Sequence, residues 1–320
     1  MLYLQVVLGL VLLVAGGDTL VRGSVGIARH FGMSPLLIGL VLVGFGTSMP
    51  ELMTSILAAL NDAPGIAVGN VVGSNIANIL LILGISAVIA PLATDPAAMR
   101  RDGAVVTLAA IAVVALALLG EAGRISGSML LAGLAVYLVV TYRMETGQTT
   151  PSAEFHRAEA EASTAQPFTE KLPFLIFLTI AGLAMTLGGA HYLVAGATGL
   201  ARQAGISEAV IGLTIVAVGT SLPELVTSVV AAFKRQSDIA LGNVIGSNIY
   251  NILGILGATA LIKPIAIPAE IMDRDIWVML AATLALVFFA FTGWKITRRE
   301  GAAMLFGYAL YMGYLATIAH

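Results

Sequence analysis

The chain has 320 residues, of which 58% are hydrophobic and 11% are charged, and its formal net charge is −2. Soluble domains carry about 25% charged residues, so this composition and the mean hydropathy of +0.97 indicate a polytopic membrane protein. The slight negative charge argues against a nucleic-acid partner. The absence of cysteine from the sequence excludes disulfides and thiolate metal sites.

Ten apolar segments are predicted to span the bilayer. The first lacks the basic start and cleavage site of a signal peptide and is interpreted as a spanning helix. In chain order the segments cover residues 2–21, 34–60, 65–89, 104–119, 128–142, 172–195, 207–233, 239–262, 276–294 and 302–318. The polar stretch between the fifth and sixth segments is expected to be a flexible loop or short surface helix. We therefore expect an all-α membrane protein with ten transmembrane helices.

The two halves of the chain are related by an internal repeat. Residues 39–84 and 212–257 align without a gap at an offset of 173, and 28 of the 46 positions are identical. Because each half carries five predicted spans, an odd number, the second copy enters the membrane from the opposite side and the repeats are inverted. The predicted units are a five-helix repeat at 1–143, a loop at 144–171, and the inverted five-helix repeat at 172–320.

The positive charges predict the orientation of these spans. The ten-span topology places 12 of the 16 Lys and Arg residues on one side of the membrane and four on the other. Basic residues concentrate in cytoplasmic loops. We therefore expect a multi-pass cell-membrane protein with loop 144–171 in the cytoplasm and both termini outside.

The second predicted span carries a polar group around Glu51. Thr47 and Ser48 lie four and three residues before this glutamate, so all three side chains share one helix face. Pro50 has no N–H and leaves the carbonyl of Gly46 without its usual partner, which predicts a broken helix. Such backbone is tolerated at membrane depth only where it lines a cavity or a protein interior. The seventh predicted span repeats the pattern at Thr220, Ser221, Pro223 and Glu224.

The third and eighth predicted spans add further oxygen-bearing side chains, namely Ser74 and Asn78, and Ser247 and Asn251. The four spans are expected to meet near the bilayer midplane, where all candidate ligands are hard oxygens of the kind that bind Ca²⁺, Na⁺ or Mg²⁺. Two carboxylates balance one divalent ion, and they repel each other in an empty site, which couples occupancy to charge. Asn75 and Asn248 are interpreted as packing or capping residues.

These motifs resemble the sodium/calcium exchanger family of the cation/Ca²⁺ antiporter superfamily, in its compact prokaryotic form. GTSMPE with GNVVGSNIAN, and GTSLPE with GNVIGSNIYN, are similar to the two alpha repeats of that family. The resemblance implies exchange of Na⁺ for Ca²⁺ by alternating access, with these ions as cargo, no prosthetic group, and the first and sixth spans as the moving pair. It implies ion ligands at Thr47, Ser48, Glu51, Ser74, Asn78, Thr220, Ser221, Glu224, Ser247 and Asn251, and carbonyls at or near Gly44 and Ala217. Some members carry Asp at the position of Asn251, and this chain lacks that third carboxylate.

Other functions are compatible with the same residues. In a Ca²⁺/H⁺ antiporter the two carboxylates carry protons instead of Na⁺, and a cation channel uses similar oxygens in its filter. An intramembrane hydrolase is disfavoured because no span offers a Ser–His or Asp–Asp arrangement. We therefore expect a transport protein whose partners are Ca²⁺, Na⁺ and the lipid bilayer, and not an enzyme.

Overall fold

The computed structural model describes residues 2–31, 33, 35–146, 171–203 and 217–318. This part of the chain is mostly helical. A single turn of α-helix at Pro35–Ile38 precedes α2. The helices are α1 (Leu2–Phe31), α2 (Gly39–Thr47), α3 (Met49–Leu60), α4 (Pro64–Ile89), α5 (Pro96–Leu119), α6 (Arg124–Thr146), α7 (Leu172–Gln203), α8 (Ala217–Thr220), α9 (Leu222–Phe233), α10 (Ser237–Ile262), α11 (Ile271–Phe291) and α12 (Arg298–Ile318).

Seven of the described helices are long and apolar enough to cross a bilayer, and the bent pair of α2 and α3 makes an eighth if it is one span. This agrees with a multi-pass membrane protein. The predicted seventh span falls partly outside the described residues, as does most of the predicted loop 144–171. Helices α1 and α7 extend about two to three turns beyond the predicted first and sixth spans, because the C-terminal end of each helix packs against the N-terminal part of the other.

Glycines bring α1 and α7 into close contact along their length. The contacting glycines are spaced seven residues apart, at Gly9, Gly16 and Gly23 in α1 and at Gly182, Gly189 and Gly196 in α7. A Cβ added at Gly9 would lie 2.5 Å from the backbone nitrogen of Leu193, and one at Gly189 would lie 2.7 Å from that of Leu13. Small residues at such an interface let helix backbones approach closely. The two helices therefore form one tightly packed unit, hereafter the α1–α7 pair.

Several helices contain wider π-helical turns, which the sequence pattern does not predict. Two of them, Asn78–Leu83 in α4 and Tyr250–Leu256 in α10, lie at corresponding positions of the two repeats. Such turns insert an extra residue into an α-helix and occur frequently at functional sites. Here they begin at, or one residue before, the candidate ligands Asn78 and Asn251.

Short contacts between loops connect the two halves of the chain. Strand β1 (Leu92–Ala93) pairs antiparallel with β4 (Lys295–Ile296), and β2 (Glu121–Ala122) pairs with β3 (Ile265–Ala266). An ion pair of 2.7 Å joins Lys263 Nζ to Asp62 Oδ1. The all-α prediction omits these strands, because two residues are too few to show an alternating pattern.

Gly246 sets the distance between α10 and the first turn of α2. A Cβ at this position would lie 2.5 Å from the carbonyl oxygen of Leu40. Overpacking against backbone costs about 1–3 kcal/mol or more, so we expect Gly246→Ala to lower the melting temperature in detergent by several degrees. The matched control is Gly73→Ala at the repeat-equivalent position, where a Cβ meets no described atom within 4 Å. Equal melting temperatures for the two variants would contradict this role for Gly246.

Candidate functional site

Each glutamate-bearing span is broken three residues before its glutamate. The backbone leaves helical geometry at Ser48, with φ −83° and ψ 9°, and α2 and α3 are bent by 48°. Ser221 separates α8 from α9 with nearly the same values, φ −90° and ψ 8°. The break predicted from Pro50 is therefore present, and the second copy shows the same local backbone.

The two glutamates lie in one buried site, and each is held by a serine from the other half of the chain. Glu51 and Glu224 are both 1% exposed. Ser48 Oγ donates to Glu224 Oε1 at 3.0 Å, and Ser221 Oγ donates to Glu51 Oε1 at 3.4 Å. The predicted meeting of the two broken helices is thus seen directly in these reciprocal hydrogen bonds.

Four side-chain oxygens of the predicted ligand set are buried and accept no hydrogen bond from any described residue. They are Oε2 of Glu51, Oε2 of Glu224, Oδ1 of Asn78 and Oδ1 of Asn251. Burying such acceptors without a partner costs free energy, and an ionised carboxylate costs most. A cation bound among them removes that cost. The part of the chain that the structure describes contains no group of three or more His, Cys, Asp or Glu side chains suited to a metal ion, so amides and hydroxyls complete this oxygen set.

Thr47, Ser247 and Gly44 join the same cluster. Thr47 Oγ1 lies 3.0 Å from the Val43 carbonyl oxygen and 3.2 Å from Asn243 Oδ1. Ser247 Oγ donates to the carbonyl oxygen of Gly44 at 3.4 Å. The Gly44 carbonyl, predicted as an ion ligand, therefore lies beside α10 from the other half of the chain.

The two asparagines interpreted as packing or capping residues, Asn75 and Asn248, differ in their contacts. Asn75 Nδ2 donates to the Val71 carbonyl of its own helix at 2.7 Å, as expected for a capping residue. Asn248 instead accepts a 3.2 Å hydrogen bond from Asn78 Nδ2. Its predicted packing role is therefore incomplete, because it also orients a candidate ligand.

A cavity of about 460 Å³ reaches the site from one side. Its wall includes Ser74, Thr220 and Ser221 from the predicted ligand set, together with Asp275 and Tyr311. The predicted ligand Ala217 begins α8, whereas residues 204–216 and the Ala217 side chain lie outside what the structure describes. The cavity therefore leads to the side of the site where the hydroxyl groups of Ser74, Thr220 and Ser221 lie.

A second cavity of about 330 Å³ occupies the repeat-equivalent location and has an apolar wall. Its wall contains Tyr250 and Gly246, whose counterparts Ala77 and Gly73 line the larger cavity. The ring of Tyr250 packs against Phe45 with centroids 4.6 Å apart. An aromatic pair therefore lies on this side, and the residue of the larger cavity that corresponds to Tyr250 is Ala77.

Repeated polar residues outside the predicted ligand set also contact the site or its entrances. Asn70 and Asn243 bond the backbone at the two glutamates. Tyr137 donates to Asp102 and Tyr311 donates to Asp275, both at 2.9 Å. The sequence signal for them is the repeat itself, because Asn70 and Asn243 are 173 residues apart, as are the two aspartates.

The model of the family described as sodium/calcium exchanger protein matches residues 1–143 and 174–317 of the chain. The chain belongs to the sodium/calcium exchanger family. The family predicted from the alpha-repeat motifs is therefore confirmed.

Two relatives of this exchanger-family protein align over nearly their whole length. The chain is 38% identical to the putative antiporter CaxA of Alkalimonas amylolytica over 96% of each sequence. It is 36% identical to the sodium/calcium exchanger MaX1 of Methanosarcina acetivorans over 97% of each. A structure of the sodium-calcium exchanger NCX_Mj soaked with Na⁺ and Ca²⁺ superimposes with a TM-score of 0.83 at 36% identity, covering 97% of this chain and 96% of that one. The family and this shared fold support cation/Ca²⁺ antiport rather than enzymatic catalysis.

Proposed function

We propose that the protein is a secondary active antiporter that exchanges Na⁺ for Ca²⁺ by alternating access at a single site between its two halves. The observation that carries this proposal is the set of four buried acceptor oxygens, two of them from Glu51 and Glu224. Two carboxylates balance the charge of one Ca²⁺. The relative MaX1 is named as a sodium/calcium exchanger, which supports the choice of ions.

In this proposal both ions bind the two glutamates in turn. The remaining ligands are Thr47, Ser48, Ser74, Asn78, Thr220, Ser221, Ser247 and Asn251, with carbonyls at Gly44 and Ala217. Ca²⁺ takes about six to eight oxygens in flexible geometry, which hydroxyl, amide and carbonyl groups supply here. An empty site leaves two buried negative charges facing each other, so one ion leaves only as the other replaces it.

We further propose ten transmembrane helices in two inverted five-helix repeats, at 1–143 and 172–320, joined by a cytoplasmic loop at 144–171. Contacts between loops support this topology. The pairing of β1 with β4 joins two loops that the proposed topology places in the cytoplasm. The pairing of β2 with β3 joins two loops that the same topology places outside. Both termini are then external. The larger cavity opens outward, because its wall includes Asp275 at the external start of the ninth span.

Radiolabelled Ca²⁺ uptake into proteoliposomes tests the proposed exchange. Vesicles loaded with Na⁺ are diluted into Na⁺-free buffer, and we expect Ca²⁺ uptake that disappears when internal Na⁺ is replaced by choline. A parallel set of vesicles carries a pH gradient and no Na⁺. Uptake driven only by the pH gradient would replace the proposal with Ca²⁺/H⁺ antiport, and uptake that needs neither gradient would indicate a channel.

A further inference from the structure

The side-chain amide of Asn70 donates two hydrogen bonds to the helix that carries Glu51. Its Nδ2 donates to the backbone carbonyl of Glu51 at 3.0 Å and to Ser55 Oγ at 2.9 Å. Ser55 Oγ in turn donates to the carbonyl of Ala67 at 3.4 Å. Both N–H groups of the amide are therefore used to fasten α3 to α4 at the turn where the glutamate lies.

Asn243 makes the same pair of bonds in the second half of the chain. Its Nδ2 donates to the Glu224 carbonyl at 3.1 Å and to Ser228 Oγ at 2.8 Å, and its side chain is fully buried. Its Oδ1 lies 3.2 Å from Thr47 Oγ1, so one asparagine connects both broken helices. The asparagine, the glutamate and the serine are each offset by 173 residues from their counterparts.

These bonds constrain the direction in which each carboxylate points. Pro50 and Pro223 leave the first turn of α3 and α9 without one hydrogen bond to the preceding segment, because a proline has no N–H to donate. The glutamate is the residue after the proline, so its backbone has to be held by a different hydrogen bond. A carbonyl oxygen has two lone pairs, and the asparagine N–H occupies one of them from a neighbouring helix. Groups that orient an ion ligand in this way typically change metal affinity by about 10–100-fold when they are removed.

We propose that Asn70 and Asn243 are positioning residues that hold Glu51 and Glu224 in ion-binding geometry through their backbone carbonyls. This inference rests on the proposed exchange function. The two amides act on the ion through the glutamates. Asn75 gives a contrast on the same helix as Asn70, because it is buried, at 2% exposed, and its amide nitrogen donates to a carbonyl of its own helix.

The test compares Asn70→Ala and Asn243→Ala with the matched control Asn75→Ala. For each protein the KM and maximal rate of Na⁺-dependent Ca²⁺ uptake, equilibrium binding of radiolabelled Ca²⁺ in detergent, and the melting temperature are measured. We expect Asn70→Ala and Asn243→Ala to raise the KM and weaken Ca²⁺ binding by about tenfold or more. Asn75→Ala keeps the affinity of the wild type even where its melting temperature falls.

Unchanged Ca²⁺ affinity in Asn70→Ala and Asn243→Ala would overturn the positioning role, and so would an equal loss of affinity in Asn75→Ala. Where an alanine variant does not fold, Asn70→Leu and Asn243→Leu keep the side-chain volume while removing the donors, and the same affinities decide. Measurements on the wild-type protein distinguish failure of the exchange function from failure of the positioning role. If it shows no Na⁺-dependent uptake, the exchange function fails, and Ca²⁺ binding still tests the positioning role.

Discussion

Replacing either glutamate by glutamine, as Glu51→Gln or Glu224→Gln, is expected to abolish Na⁺-dependent Ca²⁺ uptake and to weaken Ca²⁺ binding at least about thirtyfold. Glutamine keeps the shape of the side chain but removes one of the two charges that balance the ion. Removing one partner of a buried charge pair costs about 2–5 kcal/mol, and each 1.4 kcal/mol is about tenfold in affinity. The measurements are proteoliposome uptake and radiolabelled Ca²⁺ binding to the purified variants.

The same substitutions are expected to affect stability in the opposite direction. In the absence of Ca²⁺ and Na⁺ the wild-type site buries two carboxylates whose Oε2 atoms accept no hydrogen bond from the described residues. Neutralising one removes part of the cost of burying charge, so the melting temperature without ions should equal or exceed that of the wild type. Glu121→Gln, on the exposed strand β2, serves as the control and should change neither property. Uptake above half the wild-type level in either site variant would contradict the assignment.

Local chemistry explains why the broken helices and the glutamate pair could be predicted from the sequence. A proline in an apolar span removes a backbone donor wherever the helix goes, so the break at Ser48 depends on Pro50 and not on distant packing. The repeat then places Glu224 in the same local setting as Glu51. The two glutamates come together because each buried carboxylate needs a hydrogen-bond donor, and a serine from the other repeat supplies it.

The roles of the asparagines could not be predicted in this way. Asn70 and Asn75 are the same residue type on the same helix, yet one fastens a neighbouring glutamate and the other caps its own backbone. That difference depends on which helix faces each side chain, which apolar periodicity along one segment does not specify. The extensions of α1 and α7 have a similar origin, since they are stabilised by contact between the two helices rather than by their own apolar sequence.

The close packing of the α1–α7 pair suggests that these helices move together, as family resemblance implies for the first and sixth spans. Fixing α1 to the core should then stop transport while leaving ion binding intact. Gly17 in α1 faces α9, and a Cβ added there would lie 2.9 Å from Cγ1 of Val226, which brings a cysteine pair within disulfide reach. The natural chain contains no cysteine. Gly17→Cys with Val226→Cys therefore forms a single defined crosslink, because no other thiol in the chain competes for it.

Oxidation of this double variant is expected to reduce Ca²⁺ uptake to the level of protein-free vesicles, and reduction by dithiothreitol should restore it. Radiolabelled Ca²⁺ binding should be equal before and after oxidation, because the crosslink lies outside the proposed ligand set. The matched control links α1 to α7 through Leu2→Cys and Gly199→Cys, where a Cβ at Gly199 would lie 3.3 Å from Leu2 Cγ. That crosslink joins two helices that move as one body and should leave uptake unchanged. Full uptake by the oxidised Gly17→Cys, Val226→Cys protein would show that α1 stays fixed to α9 during transport, and the access change would then have to arise within the core helices.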